Sequence, residues 1–229
     1  DKLLLPQPIT ITTGHQLGLI GGPLFTVYKV MSTIWLSEHL KAQYPDRHFD
    51  PVFWIHTEDH DFEEIYHFYT HFGQKHTYQG TFAAATGLHI LEDSIQKLIP
   101  AHWPEELKAC WEPGRTLAEA YRQFFHLLMG KFGLVILDAS HPALKAQFIP
   151  VLHAEINEQA AFHQVNELSA QLSAAGYKQQ IHPREINLFY LDDEGRNRLE
   201  AREGRIYALD RDLSWGKEEL LAFMEQYPA

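Results

Sequence analysis

The chain has 229 residues, room for one large domain or two small ones, and 45% of them are hydrophobic, enough for a substantial core. Its formal charge is −11, from 19 basic and 30 acidic residues, which disfavours extended contact with a nucleic-acid backbone but leaves room for one nucleotide at a local positive site. No apolar stretch approaches membrane-spanning length, and the single cysteine, Cys110, excludes an intramolecular disulfide and a cysteine-rich zinc site and suits a reducing compartment. The opening Asp1-Lys2-Leu3, whose apolar run is cut at Pro6, does not read as a secretory signal. Fifteen histidines bring metal binding into consideration.

Pro8 to Thr13 alternates, with Ile9 and Ile11 on one side, and predicts a first strand. Thr12 to Pro23 follows, with four glycines between Gly14 and Gly22, more than a simple turn needs. Glycine lets a ligand approach the main chain closely. Gly22-Pro23 reads as N-cap and first residue of a helix, and a helix N-terminus attracts anions. The stretch is therefore either a phosphate or carboxylate site or a purely structural strand-to-helix loop. Leu24 to about Gln43 predicts a helix with Leu24, Val27, Met31, Ile34 and Trp35 as its core face and Lys29 off that face. Tyr44-Pro45-Asp46 ends it.

Pro51 to Ile55 is an unbroken apolar run, as expected of a strand buried on both faces in a parallel sheet. It passes directly into the dense polar stretch His56 to Ile65. Tyr66 to Leu91 reads as short strands. Trp103 to Cys110 and Thr116 to Lys131 read as helices, the second burying Leu117, Ala120, Tyr121, Phe124 and Leu128. Residues 67–131 thus interrupt the strand–helix alternation as an insertion.

Gly133 to Asp138 predicts a third buried strand, and Ser140 an N-cap for the helix after it. Leu144, Phe148, Leu152, Ile156, Leu168 and Leu172 carry that helix to a glycine cap at Gly176, with a break or kink early, at Pro150. Lys178 to Ile181, Asn187 to Leu191, Arg196 to Glu200 and Arg205 to Leu209 read as short strands. The turns Asp192 to Gly195 and Arg202 to Gly204 join the last three into a meander. Ser214 could cap a last helix, Lys217 to Gln226.

The alternation suggests a doubly wound α/β domain, whose ligands bind outside the carboxyl ends of the strands. Three junctions lie at such ends: Thr13 to Gly22, His56 to Asp61, and Asp138 to His141. Parallel strands would bring all three to one edge. The glycine loop has no Gly-Lys-Ser/Thr ending and misses the dinucleotide spacing, so it is neither a P-loop nor that fingerprint. The acidic junction allows three readings. His56, Glu58, Asp59, His60 and Asp61 could ligate a metal. His60, oriented by a carboxylate, could act as a base or bind an amine or hydroxyl. Or Glu58 or Asp59 caps the next helix and the rest is a solvated face. His67 and His71 stand four apart and suit structural or surface roles. Cys110 suits a small buried residue. Asp138 reads equally as a site carboxylate or a loop residue satisfying amides, and Arg184 and Asn187 as ligand contacts or as salt-bridge and turn residues.

With these residues in view, the chain resembles the bacillithiol biosynthesis cysteine-adding enzymes, the BshC family. Thr13-Gly14-His15-Gln16-Leu17-Gly18-Leu19 followed by Gly22-Pro23-Leu24-Phe25-Thr26-Val27-Tyr28-Lys29 is similar to that family's opening motif. Pro51 to Ile55, then Glu58-Asp59-His60-Asp61-Phe62 and Glu64-Ile65, is similar to its second, and Asn187-Leu188-Phe189-Tyr190 with Gly195-Arg196 and Leu199 to a third. The motifs occur in order over about 190 residues, and the family's members are longer than this chain.

The resemblance implies a Rossmann-like doubly wound, mostly parallel sheet related to class I aminoacyl-tRNA synthetases, with an inserted α+β connecting region and a small β meander. On that reading residues 1–66 and 132–176 form the core, 67–131 the connecting insertion and 177–229 the meander and terminal helix. It implies a cytoplasmic ligase that joins cysteine to glucosaminyl-malate, with the full-length protein a homodimer through a coiled coil. By analogy with the mycothiol ligase, ATP would activate the cysteine carboxylate as an adenylate and the sugar amine would attack it. The synthetase signature His-x-Gly-His is matched here by His15-Gln16-Leu17-Gly18, with only one histidine. The implied catalytic residues are His60, as base, Asp59 and His15. Thr13, Gly14, Gln16, Gly18, Gly21, Gly22, Tyr28, Lys29, Glu58, Asp61, Asp138 and Asn187 would bind substrate or nucleotide. No metal, nucleic acid or membrane partner is implied. The other classes are a metal-dependent hydrolase built on His56 to Asp61 and a nucleotide-binding module without catalysis.

Overall fold

Eight residues, Ile9–Gln16, form strand β1, whose β-branched residues suit a pleated, half-buried surface. The computed structural model describes residues 8–70, 73–80, 85–192 and 195–227, so His71, Asp193 and Glu194 of the sequence reading lie outside the described residues. The chain divides into two compact units, Asp1–Ser140 and His141–Ala229.

In the first unit β1 runs further than expected, through Gly14 and His15 to Gln16. A tight turn at Leu19–Gly21 leads to helix α1, Leu24–Gln43. Its N-cap is Pro23, not Gly22, because Gly22 holds a left-handed φ of 70° while Pro23 supplies the extended cap conformation. Strand β2, Phe49–His56, is buried along nearly its whole length and pairs in parallel with β1, from Ile9 opposite Phe49 to Gln16 opposite His56. Strand β5, Val135–Asp138, pairs in parallel with the other side of β2, from Val52 opposite Val135 to Ile55 opposite Asp138. The order β1-β2-β5 therefore places all three carboxyl ends at one edge. Pro51 falls outside the β5 ladder, where a residue without an N–H is tolerated. β5 itself is half-buried, less covered than its apolar sequence suggests.

The expected core face of α1 is mostly wrong. Leu24, Met31 and Trp35 are more than half exposed, and the buried face is Thr26, Val30, Thr33, Ile34 and Ser37. Small residues let the helix lie close to the sheet, and the Ser37 hydroxyl donates to the Phe49 carbonyl at 2.7 Å.

Between β2 and β5 the chain forms a short helix α2 (Phe62–Ile65), a hairpin of β3 (His67–Tyr69) and β4 (Lys75–Thr77), and helix α3 (Glu105–Ala109). Helix α4, Leu117–Met129, starts from a Thr116–Glu119 capping box. Its predicted face is buried, with Phe125 added and Leu128 only partly so. Phe125 meets Phe53 of β2 at 5.1 Å between ring centroids. The core joins Phe53 and Ile55 to Tyr121, Phe124 and Phe125, with Leu17 and Leu19 of the glycine loop buried in it. Cys110 is fully buried, and burial pushes its thiol pKa up.

In the second unit His141, not Ser140, caps helix α5, Pro142–Glu158: its Nδ1 accepts the Ala143 N–H at 3.2 Å. The helix runs through Pro150, and the break comes instead at Gln159, which holds φ 52° between α5 and helix α6, Ala160–Ala174. Phe148, Leu168 and Leu172 are exposed, so the expected stripe buries chiefly Ile156. Gly176 closes α6 as expected, at φ 88°, donating to Ser173 while Tyr177 donates to Leu172.

Residues 178–181 are not a strand. The antiparallel meander consists of β6 (Phe189–Asp192), β7 (Gly195–Arg202), β8 (Arg205–Ala208) and an unforeseen β9 (Leu213–Trp215). Ser214 is thus strand, and Gly216 caps helix α7, Lys217–Gln226, with its N–H donated to Glu219. Leu199, Ile206, Leu220 and Met224 join Ile156 in this unit's core.

Candidate functional site

The parallel register sets the site. Gln16 and His56 end adjacent strands side by side, and Asp138 ends the third opposite Ile55. Side chains then tie the three ends together. Gln16 Nε2 donates to Asp59 Oδ2 at 2.6 Å, and Asp59 Oδ1 accepts the His60 N–H at 2.9 Å. The Thr57 hydroxyl donates to Asp138, and Asp138 accepts the Ser140 N–H at 2.9 Å. The Thr57 oxygen also accepts the Ser140 N–H at 3.1 Å and lies 2.8 Å from the Ser140 hydroxyl. This is why Ser140 does not cap α5: its amide and hydroxyl face the β2 end.

At the β1 end, Lys29 reaches back from α1 and its Nζ donates to the Gly14 carbonyl. Its ammonium also lies 5.6 Å from the Phe25 ring centroid. The His56 ring packs against the Gly14 backbone, where a Cβ would come within 2.8 Å of Nε2. His15 Nδ1 donates to the Gln16 carbonyl at 3.1 Å, which fixes the neutral tautomer and leaves Nε2 as an acceptor. Burial lowers the His15 pKa below its ordinary 6.5, opposed by that hydrogen bond and assisted by Lys29 and His56.

His15 is therefore neutral at pH 7. The unfolded chain binds a proton near 6.5 and the folded site only at lower pH. His15 thus costs no stability above 6.5 and progressively destabilises the fold as pH falls below it. The expected result is a His15 Cε1 proton resonance with a midpoint below 6.5 in an NMR titration; a midpoint at or above that value contradicts the burial argument.

The glycines of the loop face protein. A Cβ on Gly18 would clash with Gly22 Cα, one on Gly21 with the Phe124 ring, and one on Gly22 would lie 3.2 Å from the Tyr121 hydroxyl. Leu17, Leu19 and Ile20 are buried, and Ile20 holds φ 53°, rare for a β-branched residue. The loop is a packed support for the N-terminus of α1. Pro23 provides no side-chain cap there, and the first turn carries no acidic residue.

Thr13 lies within β1, paired with Phe53. Tyr28 is exposed on α1, Glu58 is half-buried, and Asp61 precedes α2 without capping it through its side chain. His60 is half-buried with both ring nitrogens shielded from solvent. Asn187 belongs to the second unit, where its N–H donates to Glu155 Oε1 at 2.9 Å. Among the described residues no group of three or more His, Cys, Asp or Glu side chains stands where it could hold a metal ion, so the hydrolase reading gains no support. Nor, among them, is any helix long and apolar enough to cross a membrane.

Sequence reasoning missed Thr57, which is 2% exposed and joins two strand ends. It also missed Gly87, whose N–H donates to the Thr57 carbonyl at 2.8 Å, and whose missing Cβ leaves room for Thr57. The only signal for Thr57 was its place just after the buried apolar run of β2.

A parallel sheet with its polar loops gathered at the carboxyl edge defines a Rossmann-like α/β domain. The chain belongs to the BshC family: the family model described as bacillithiol biosynthesis BshC, N-terminal Rossmann-like domain, matches residues 1–229. A relative from Christiangramia forsetii, named "Putative cysteine ligase BshC", is 38% identical over 243 residues, which cover all of this chain and 45% of the relative. One of the same name from Cytophaga hutchinsonii is 39% identical over 234 residues, covering all of this chain and 44% of the relative. Another, from Chlorobaculum tepidum, is 32% identical over 215 residues, 86% of this chain and 38% of the relative. The chain spans less than half the length of these relatives.

Proposed function

We propose that the full-length protein is a cytoplasmic ligase that joins L-cysteine to glucosaminyl-malate, the last step of bacillithiol synthesis. One observation carries this reading: the whole chain matches the BshC domain, and the residues of its two densest motifs meet at one sheet edge. The N-terminus of α1, which has no side-chain cap, with Lys29 about one and a half turns further along, fits a phosphate or carboxylate. ATP, when bound there, supplies activation of the cysteine carboxylate. His15, neutral and with Nε2 as acceptor, suits a hydroxyl or an ammonium of a bound substrate, not its phosphate or carboxylate. Asp59 would hold the substrate nitrogen, whose ammonium form gives one proton to solvent before the free amine attacks. As the C–N bond forms, the C–O bond to the activating phosphate breaks, the phosphate leaves with the electron pair, and His60 takes the second proton. Asp138, held by Thr57 and Ser140, fixes the third strand end beside them.

The test is direct. Purified full-length protein is incubated with cysteine, glucosaminyl-malate and ATP, and bacillithiol is quantified by thiol labelling and mass spectrometry. Product that depends on the protein and on ATP is expected. Turnover without ATP removes the activation step, and no turnover removes the ligase reading.

A further inference from the structure

Gln16 closes β1 opposite His56, with its backbone fixed by the sheet ladder. Its carbonyl accepts His15 Nδ1–H at 3.1 Å and the Tyr121 hydroxyl of α4 at 3.5 Å. Its side-chain Nε2 donates to Asp59 Oδ2, at 2.6 Å. Only the NH2 end of a carboxamide can face a carboxylate, so chemistry fixes which way the amide points. The other Asp59 oxygen accepts the His60 N–H at 2.9 Å. The carboxylate is therefore held from two sides, by its own neighbour and by a residue 43 positions earlier on the adjacent strand. Hydrogen bonds to ionised groups are short and strong, and two of them leave a carboxylate little freedom. With a carboxylate oxygen 2.6 Å from its Nε2, the amide lies in a negative field that repels a second anion.

We propose that Gln16 is a positioning residue that aims Asp59 at the amine substrate, and that it does not touch the nucleotide. This deepens the ligase reading and rests on it. It also replaces the nucleotide-contact role that the opening motif suggested for Gln16. In this arrangement the end of β1 sets the selectivity of the acidic junction on β2.

The experiment uses full-length wild type, Gln16→Ala, Asp59→Ala and the double variant, with circular dichroism as the check on folding. Gln16→Ala is expected to raise KM for glucosaminyl-malate about tenfold, the value of one hydrogen bond to a charged group, and to leave KM for ATP and cysteine unchanged. The double variant is expected to be no worse than Asp59→Ala, because Gln16 acts only through that carboxylate. Gln16→Asn, whose amide falls short of Asp59, is expected to behave as Gln16→Ala. A selective rise in KM for ATP, an equal effect on every substrate, or additive losses in the double variant overturns the proposal. Absence of product from the wild type counts against the ligase reading alone. The Gln16–Asp59 coupling is then read from urea unfolding of the same four proteins, where additive effects overturn it.

Discussion

Gly21→Ala lowers the unfolding free energy of the first unit by about 3 kcal/mol, the combined cost of a left-handed alanine and of an overpacked core. Gly21 holds φ 87°, and a Cβ there would run into the Phe124 ring. Phe124 cannot retreat, because it is wedged between Trp103, stacked at 5.3 Å, and Trp111 at 5.6 Å. Gly114 provides the control. Its φ is 89°, but nothing lies within 4 Å of its Cβ position. Gly114→Ala therefore carries only the backbone strain, about 1 kcal/mol. Urea unfolding of both variants separates the two contributions. Equal midpoints would show that the glycine loop does not pack on α4 as described.

That contrast bears on how much the sequence disclosed. The glycine density between β1 and α1 was legible, and so was a strand-to-helix junction there. Its reason was not. A glycine that makes room for a ligand and one that makes room for Phe124 look alike in a sequence, because both only omit a Cβ. The same limit applies to α1. Leu24, Met31 and Trp35 recur at helical spacing, yet the buried face carries Thr26, Thr33 and Ser37. Periodicity finds an apolar stripe but cannot choose between two of them. Short polar side chains that satisfy themselves locally, as Thr33 does on the Lys29 carbonyl at 2.9 Å, cost little to bury.

The parallel sheet was the most legible part. Pro51 to Ile55 has no alternation, and only a strand covered on both faces tolerates that. From it followed the meeting of three junctions, which the register of Gln16, His56 and Asp138 bears out. The ties within the junctions were not legible. Ser140 looked like a cap, but a cap is decided by which acceptor reaches the helix amides, and Thr57 occupies Ser140 first. In the second unit Gln159 adopts a left-handed conformation usually taken by glycine, so no composition signal marked that break. What sequence pattern misses is long-range hydrogen bonding by ordinary residues in the first unit and a left-handed residue other than glycine in the second.

On the ligase reading proposed for the full-length protein, Asp59→Ala is expected to lower kcat/KM about 100- to 1,000-fold, the scale for losing a charged substrate contact together with the alignment of a proton acceptor. The carboxylate does two things at once. It would supply the negative charge for an ammonium at the sheet edge, and its Oδ1 accepts the His60 N–H. Removing it also leaves the Gln16 amide without its partner. Asp59→Asn keeps the shape but loses the charge and sets an NH2 against a donor, so its activity lies close to that of Asp59→Ala. His60→Ala is expected to fall in the same range, and the pair Asp59→Ala with His60→Ala to lose little more than either alone, because residues that act as a unit do not add. The measurement is steady-state bacillithiol formation at saturating ATP and cysteine, with thermal unfolding as the check on folding. If Asp59→Ala retains activity within threefold of wild type, the amine binds elsewhere. The carboxylate held between β1 and β2 would then be a structural tie between the two strand ends.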